Sequence, residues 1–333
     1  MRLSLKQQLG AVALAILLLA PAAAAGAEEG MNLTARSFVI MDADTGAILL
    51  AYNPQLFLPP ASTLKVMTAM YVLEHLKMDD KVTVSATAAA APPSKIGIKP
   101  GEVYTVGELL YALLLNSAND AARALAERVS GSEEAFARDL TRWVRTLGAY
   151  RTTLATANGL PADNQYSTAQ DLALLFRKAM QYPELAKIMG TKYHHIQGDR
   201  ELRNHNRFLF TTPLAVAGKT GFTRASRHTY VGMFRKDNHA VIISLMGSQQ
   251  KWADLRPLIA KGFELEGSPI AKLPPQEEKL RFAKKHLGKQ VAAADNGSSK
   301  VRRQSKMAMG SAASLPAKKK GKASKKKSKN QEQ

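Results

Sequence analysis

The 333-residue chain contains no cysteine. That single absence removes disulfide staples, thiol nucleophiles and cysteine-ligated zinc, so the fold must be held by its core. There is no G-x-S-x-G elbow and no H-E-x-x-H helix, the short signatures of two large hydrolase groups. No internal repeat recurs, and after the first thirty residues no apolar run is long enough to cross a bilayer. Tryptophan occurs only twice, at Trp143 and Trp252. Both sit in helical patterns, where packing rather than a carbohydrate platform is the plain expectation.

What the chain does have is a hydrophobic fraction of 45% and a net charge of +20. The first is ample for a real core. The second points to a polyanion until its distribution is examined. Residues 284–333 hold fifteen Lys and Arg against Asp295 and Glu332, a net +13; with Arg2 and Lys6 also set aside, only +5 of the total remains for residues 28–283. The body is therefore mildly basic and the tail strongly so.

The opening "MRLSLKQQLGAVALAILLLAPAAAAGA" pairs a basic start with a short apolar run that ends at Pro21, followed by small residues. This is the layout of a cleaved secretory leader over 1–27 and not of a membrane span. An exported protein, in the periplasm or cell envelope, follows as the expectation. From residue 271 the composition turns to Pro, Ala, Ser, Gly and Lys, too poor in apolar residues to bury a core. The expected organisation is leader 1–27, folded domain 28–270 and Lys-rich tail 271–333, with a short amphipathic helix possible over 277–288.

Within the domain, "SFVIMDADTGAILLAYN" (37–53) reads as a hairpin about Asp44-Thr45-Gly46, and "HTYVGMFR" (228–235) with "HAVIISLMG" (239–247) as another about Lys236-Asp237-Asn238. Helical signals fill the middle. Thr105 with Glu108 and Ser167 with Gln170 have capping-box spacing, "SEEAFARDLTRWVRTLG" has acids in its first turn and Gly148 as a stop, and "WADLRPLIAKGFE" reads as a closing helix. The expected class is α/β of the α+β kind: one antiparallel sheet built from both ends of the domain, packed against a mostly helical region.

Three short elements carry chemistry. In "PPASTLKVMTAM" Ser62 precedes Lys65 by three residues at a helix start, which puts the amine within reach of the hydroxyl proton and the serine N–H where an oxyanion can be held. The plainer alternative is an N-cap serine beside a surface lysine, and Ser248 to Lys251 and Ser324 to Lys327 repeat the spacing. In "LLLNSANDAARALAE" Ser117 and Asn119 share a short loop between helices. In "AVAGKTGFTRAS" Lys219-Thr220-Gly221 enters a strand, where the glycine lets a ligand approach the backbone. This last triplet occurs once.

The ordered set S-x-x-K, S-x-N and K-T-G resembles that of penicillin-binding proteins and class A β-lactamases. The flanks "ASTLKVMTAMYVLE", "NSANDAARALAE", "NGLPADNQYSTAQDLALL" and "AGKTGFT" are similar to the low-molecular-mass serine D-alanyl-D-alanine carboxypeptidases, over roughly residues 33–265. The resemblance implies a β-lactamase/transpeptidase-like fold and an acyl-enzyme route on peptidoglycan stems that end in D-Ala-D-Ala, with β-lactams as covalent inhibitors and no metal or other cofactor. It implies Ser62 as nucleophile, Lys65 as base, Ser117 as proton relay and Asn119 as a holder of the substrate amide. Lys219, Thr220 and Thr223 would receive the terminal carboxylate, Gly221 would be a further substrate-binding residue, and the N–H groups of Ser62 and Phe222 would form the oxyanion hole. The chain departs from the family pattern in carrying Ala118 within S-x-N, Phe222 after K-T-G and a run rich in Arg and His thereafter, so Arg224 or Arg227 is a further carboxylate candidate.

Three other readings compete. A D-alanyl-D-alanine endopeptidase would use the same machinery on crosslinks. A class A β-lactamase would need a glutamate for the deacylating water, and none lies between Tyr150 and Tyr182. A silent wall-binding scaffold would make the tail the working part. His194, His195 and His205 lack a matching carboxylate pattern and read as ordinary polar residues, and Asn158-Gly159 reads as a turn. The tail is either a solvated extension or a tether to anionic lipid or wall polymer; export argues against nucleic acid.

Overall fold

Apolar residues on both alternating faces of a strand require cover on both sides, and the C-terminal strands have that pattern. The computed structural model describes residues 31–271 and Leu273; the leader, almost all of the tail and the 277–288 helix lie outside the described residues. β1 (Ser37–Asp42) and β2 (Ile48–Tyr52) form the first hairpin, and the Asp42 carboxylate accepts from the N–H groups of Asp44 at 2.7 Å and Thr45 at 2.8 Å in its turn. A 3₁₀ turn (Ala61–Leu64) leads into α1 (Lys65–His75). The helical region continues through β3 (Lys81–Thr83), α2 (Ala86–Ala89), β4 (Val103–Thr105), α3 (Val106–Leu115), α4 (Asn119–Ser130), α5 (Glu133–Thr146), α6 (Ala169–Ala179) and α7 (Pro183–Gly190). After the small hairpin β5 (Tyr193–Ile196) and β6 (Arg200–Arg203) and the turn α8 (Phe208–Thr211) come β7 (Ala215–Thr223), β8 (Arg227–Lys236), β9 (His239–Ser248) and α9 (Lys251–Leu265).

The main sheet is antiparallel in the order β2-β1-β9-β8-β7, so the N-terminal hairpin is completed by the three C-terminal strands. Strand alternation then sorts the side chains into two cores. Ile40, Phe234, Val241, Ile243 and Leu245 face α9 and meet Leu255, Leu258, Ile259 and Phe263. Val39, Met41, Val231, Met233, Ile242 and Met246 face the helical region and join α1, α3 and α6. Among the described residues no helix is long and apolar enough to cross a membrane.

Local signals mostly hold. The capping box of Thr105 and Glu108 is formed. The one expected at Ser167 and Gln170 is not: α6 is capped one residue later, by Thr168 accepting from the Asp171 N–H. Ser167 is taken by tertiary structure instead, pairing its backbone with Leu58 and its hydroxyl with Thr152. The two candidate caps are adjacent in sequence, and the pairing with Leu58 decides between them.

Candidate active site

β7 is an edge strand, and its 218–223 segment lies against the turn that opens α1. Two hydroxyls fix that turn through one carbonyl: Thr63 Oγ1 and Thr229 Oγ1 both donate to the Pro60 oxygen, at 2.6 and 2.9 Å. Ala61 is forced into the left-handed region with a φ of 49°, a conformation uncommon for a residue bearing a Cβ. The approach of the segments is close enough to demand glycine twice. A Cβ on Gly159 would lie 2.0 Å from the Ala61 oxygen, and one on Gly221 would lie 2.9 Å from the Ser62 nitrogen. Asn158-Gly159 is thus more than the turn its sequence suggests; it is packed against the serine.

Ser62 does not cap a helix, and Lys65 is no surface lysine, being 0% exposed. The Lys65 amine lies 3.0 Å from Ser62 Oγ, 2.8 Å from Asn119 Oδ1 and 2.7 Å from the Asn158 carbonyl oxygen. Two of these three partners can only accept. A neutral amine has two N–H bonds and one lone pair, so with Asn119 and Asn158 holding the N–H bonds the lone pair is left for the serine proton. Burial, followed by repulsion from Lys219, holds the Lys65 pKa well below the ordinary lysine value, with Glu133 and Asp120 opposing. An ammonium in that setting costs several kcal/mol to desolvate, which favours the neutral base.

A second amine backs the first. Lys219 is 1% exposed and donates to Ser117 Oγ and to the Thr220 carbonyl, both at 3.0 Å; burial and then Lys251 bring its pKa down to about 7. Ser117 sits in the left-handed region with a φ of 59°, at the loop that joins α3 to α4. Asn119 begins α4 and spends its amide locally: Oδ1 on Lys65, Nδ2 on the carbonyls of Pro92 and Pro93 at 3.1 and 2.9 Å. In this arrangement it joins the Lys65 amine to the neighbouring loop: both Nδ2 hydrogens are committed, and Oδ1 keeps one lone pair.

These residues form the floor of a cavity of about 370 Å³. Ser62, Ser117, Thr220, Gly221 and Phe222 line it; Lys65, Asn119 and Lys219 lie behind them. Thr223 does not line the cavity, and its hydroxyl exchanges hydrogen bonds with Ser226 in the β7–β8 turn. Nor do Arg224 and Arg227. The cations that do are Arg203, Arg207 and Lys251, together with His205 and Trp252, and no Asp or Glu is among the lining residues. Two of them lie over the Trp252 ring, with Lys251 Nζ 5.0 Å and Arg207 Cζ 5.7 Å from its centroid.

Sequence reasoning missed this rim, whose pattern shows only in the burial. From Glu201 to Arg207 exposure alternates, with Arg203, His205 and Arg207 outward and Leu202, Asn204 and Asn206 inward. Asn204 donates from Nδ2 to the carbonyls of Met189 and Thr191 at 3.1 and 2.8 Å. Buried asparagines can therefore present three basic side chains on one face. The histidines separate accordingly: His194 stacks on Tyr111, His195 lies 3.7 Å from Glu201 across the small hairpin, and His205 joins the cavity. Loss of hydration, and after it the charges of Lys219, Lys251, Arg203 and Lys65, hold the His205 imidazole below its ordinary value. Trp143 packs on Tyr71 at 5.3 Å, whereas Trp252 both packs on Phe208 and faces the cavity.

Comparison with known proteins agrees with this geometry. Residues 22–250 match the sequence profile of peptidase family S11, D-alanyl-D-alanine carboxypeptidase. D-alanyl-D-alanine carboxypeptidase DacB2 of Mycobacterium tuberculosis is 34% identical over 242 residues, covering 69% of this chain and 83% of that protein. A crystal structure of a D-alanyl-D-alanine carboxypeptidase from Mycobacterium tuberculosis H37Rv superposes with a TM-score of 0.67 at 31% identity, over 73% of this chain and 96% of that one. A D-alanyl-D-alanine endopeptidase of Pseudomonas aeruginosa is 27% identical over 288 residues, 82% of this chain and 92% of its own length. With its ordered motifs gathered around one buried amine and its sequence matching from residue 22 to residue 250, the chain belongs to the D-alanyl-D-alanine carboxypeptidase family of serine peptidases.

Proposed function

We propose that the chain removes the terminal D-Ala from peptidoglycan stem pentapeptides through an ester on Ser62. The observation that carries this reading is the Lys65 amine, buried and held by two obligate acceptors beside the serine hydroxyl. Lys65 takes the Ser62 proton as Oγ attacks the penultimate D-Ala carbonyl, and the oxyanion is received by the N–H groups of Ser62 and Phe222. As the C–N bond breaks, the proton that Lys65 took from Ser62 passes to the leaving D-Ala amine through Ser117, which Lys219 holds, and Lys65 is neutral again. Water then attacks the ester, with Lys65 again the base, and Ser62 is regenerated. Thr220 and Gly221 shape the binding wall, while Arg203, Arg207 and Lys251 supply the positive field for the substrate carboxylate.

β-Lactams acylate the same hydroxyl. Among the described residues no carboxylate lines the cavity, and the β-lactam amine, unlike free D-Ala, stays attached to the acyl group after the ring opens and obstructs the water, so the penicillin ester is long-lived. The test is intact mass after benzylpenicillin treatment with the adduct mapped by peptide, alongside D-Ala release from a monomeric pentapeptide and from a crosslinked dimer. An adduct on Ser62 with D-Ala released from the pentapeptide is expected; release of monomers from the dimer alone would make the chain an endopeptidase, and rapid hydrolysis of a chromogenic cephalosporin would overturn the long-lived ester.

The leader over 1–27 would export the enzyme to the cell envelope, where this substrate lies, and the folded domain would end near residue 270. The tail adds a tether: each basic residue near an anionic lipid surface contributes about 1 kcal/mol. Full-length protein is expected to sediment with vesicles containing anionic lipid, and a chain ending at residue 283 to remain in solution; equal binding by the two would remove the tether.

A further inference from the structure

The Lys65 amine is fixed by the Asn158 carbonyl, so whatever fixes that carbonyl fixes the base. The 157–158 backbone is anchored from two sides. The Ala157 carbonyl accepts from Thr68 Oγ1, one turn along α1 from Lys65, at 2.7 Å. From the other side, Glu133 Oε1 accepts from the Ala157 N–H at 3.0 Å and from Asn158 Nδ2 at 2.7 Å. The second oxygen of Glu133 pairs with Arg123 Nε of α4 at 2.6 Å, and the glutamate side chain is only 12% exposed. Glu133 opens α5, so one carboxylate joins α4, α5 and the loop that holds the amine. It lies outside the three motifs.

We propose that Glu133 is a positioning residue for the Lys65 amine: its carboxylate clamps the Ala157-Asn158 backbone on which Lys65 hangs and keeps a negative charge facing the base. The proposal rests on Lys65 acting as the base. The charges that face Lys65 are Lys219 from β7, Glu133 from α5 and Asp120 from α4, and the titratable His205 between β6 and α8 also feels the amine. Glu133 and Asp120 are the two that raise the amine's affinity for a proton against burial and Lys219. Asp120 is already committed, accepting from the N–H groups of Ile96, Gly97 and Ile98 at 3.3, 2.8 and 3.2 Å.

Two substitutions separate charge from clamp. Glu133→Gln keeps an oxygen for Ala157 and Asn158 but loses the charge. Acylation depends on neutral Lys65, so its rate falls on the acid side as the amine gains a proton. Without the opposing charge the amine holds that proton less tightly, and the acid limb of the penicillin acylation profile moves to lower pH while the plateau stays within a few fold. Glu133→Ala loses both, and its plateau falls by about 10- to 100-fold. Labelling of Ser62 in the full-length protein, followed from pH 4 to pH 9 with thermal unfolding measured in parallel, reads both effects. An acid limb unmoved in Glu133→Gln, or a loss in both variants that tracks only their unfolding temperature, overturns the proposal. Should Glu133→Ala not fold, the limb of Glu133→Gln still decides. If the unsubstituted protein is not labelled at Ser62 at all, the proposed function has failed, and that outcome is distinct from any result with Glu133.

Discussion

Ser-x-x-Lys occurs twice around the same cavity, and the two copies have opposite fates. At 62–65 the hydroxyl lies 3.0 Å from the amine, the lysine is buried and the serine lines the cavity. At 248–251 the serine is buried and committed, donating to Asp254 at 2.6 Å and accepting from the Gln250 N–H at 3.1 Å, while the lysine lines the cavity and lies over Trp252. Spacing is identical; backbone is not. Ser62 rides a 3₁₀ turn entered through a left-handed Ala61, so serine and lysine share one face of one continuous helical stretch. Ser248 ends β9 and Lys251 begins α9, with a bend through Gln249 and Gln250 between them. A motif is chemistry only when the backbone turns its two side chains toward each other.

The largest expected effect tests that contrast directly. Lys65→Met removes the base and is expected to slow Ser62 acylation at least ~10³-fold, while Lys251→Met leaves the acylation rate at saturation within a few fold. Stopped-flow labelling by a fluorescent penicillin separates the two. Comparable losses in both would dissolve the distinction between the buried floor and the half-buried lysine of the rim.

Lys219 comes next, and its pH dependence has a definite sign. With a pKa of about 7 in the folded protein, it binds fewer protons folded than unfolded between pH 7 and the ordinary lysine value. Stability from this group therefore rises with pH across that window, and below pH 7 the full cost of burying the ammonium is carried. Lys219→Met removes the cost together with the bond to Ser117. It is expected to lower acylation about 10²-fold, and its stability relative to the parent should be greatest at pH 6 and decline toward pH 10. Urea midpoints at pH 6, 8 and 10 measure this; parallel curves would mean that Lys219 is not titrating in the window.

The floor of the site was legible in the sequence and the rim was not, for a physical reason. Ser62, Lys65, Ser117 and Lys219 are fixed by short local segments, each a turn entering a helix or a strand, and local segments are what spacing describes. Their burial was not legible, because it depends on β7 lying against the α1 turn across more than 150 residues of sequence. That burial is what separates Lys65 from a surface lysine and what the proposed role as base rests on. Arg203, Arg207 and Lys251 come from β6, the start of α8 and the start of α9, and no pattern within any one of these predicts their meeting; Arg224 and Arg227, closer to K-T-G in sequence, are not among the residues that line the cavity. The sheet was read well because its alternation is local. The α6 cap was read one residue early because Ser167 and Thr168 offer the same spacing, and only the pairing with Leu58 tells them apart.

The rim itself is a weaker, more exposed element, and its effects should be of that size. Arg207→Met and Lys251→Met are each expected to raise KM for a pentapeptide substrate about tenfold at low salt with little change in kcat, because they act on a carboxylate that is equally charged before and during reaction. The penalty should shrink as ionic strength rises, since exposed charges are screened over roughly 8–10 Å at physiological salt. A penalty in kcat that persists in high salt would move these residues from the rim into the reacting constellation.

The smallest effect on catalysis is expected where the sequence most invites a large one. Ser248→Ala deletes the serine of the second Ser-x-x-Lys and with it a buried bond to Asp254 and a partner for the Gln250 N–H. Asp254 keeps Thr34, which donates from N at 3.0 Å and from Oγ1 at 2.7 Å, so the carboxylate is not stranded. The cost is about 1–2 kcal/mol of stability, the usual figure for a buried hydrogen bond lost with one polar partner retained. Acylation of Ser62 should stay within twofold of the parent. Equilibrium unfolding and penicillin labelling of the same preparation give both numbers, and a large loss of labelling with the fold intact would show that the 248–251 pair supports the chemistry through the rim, joining the two copies that the backbone otherwise keeps apart.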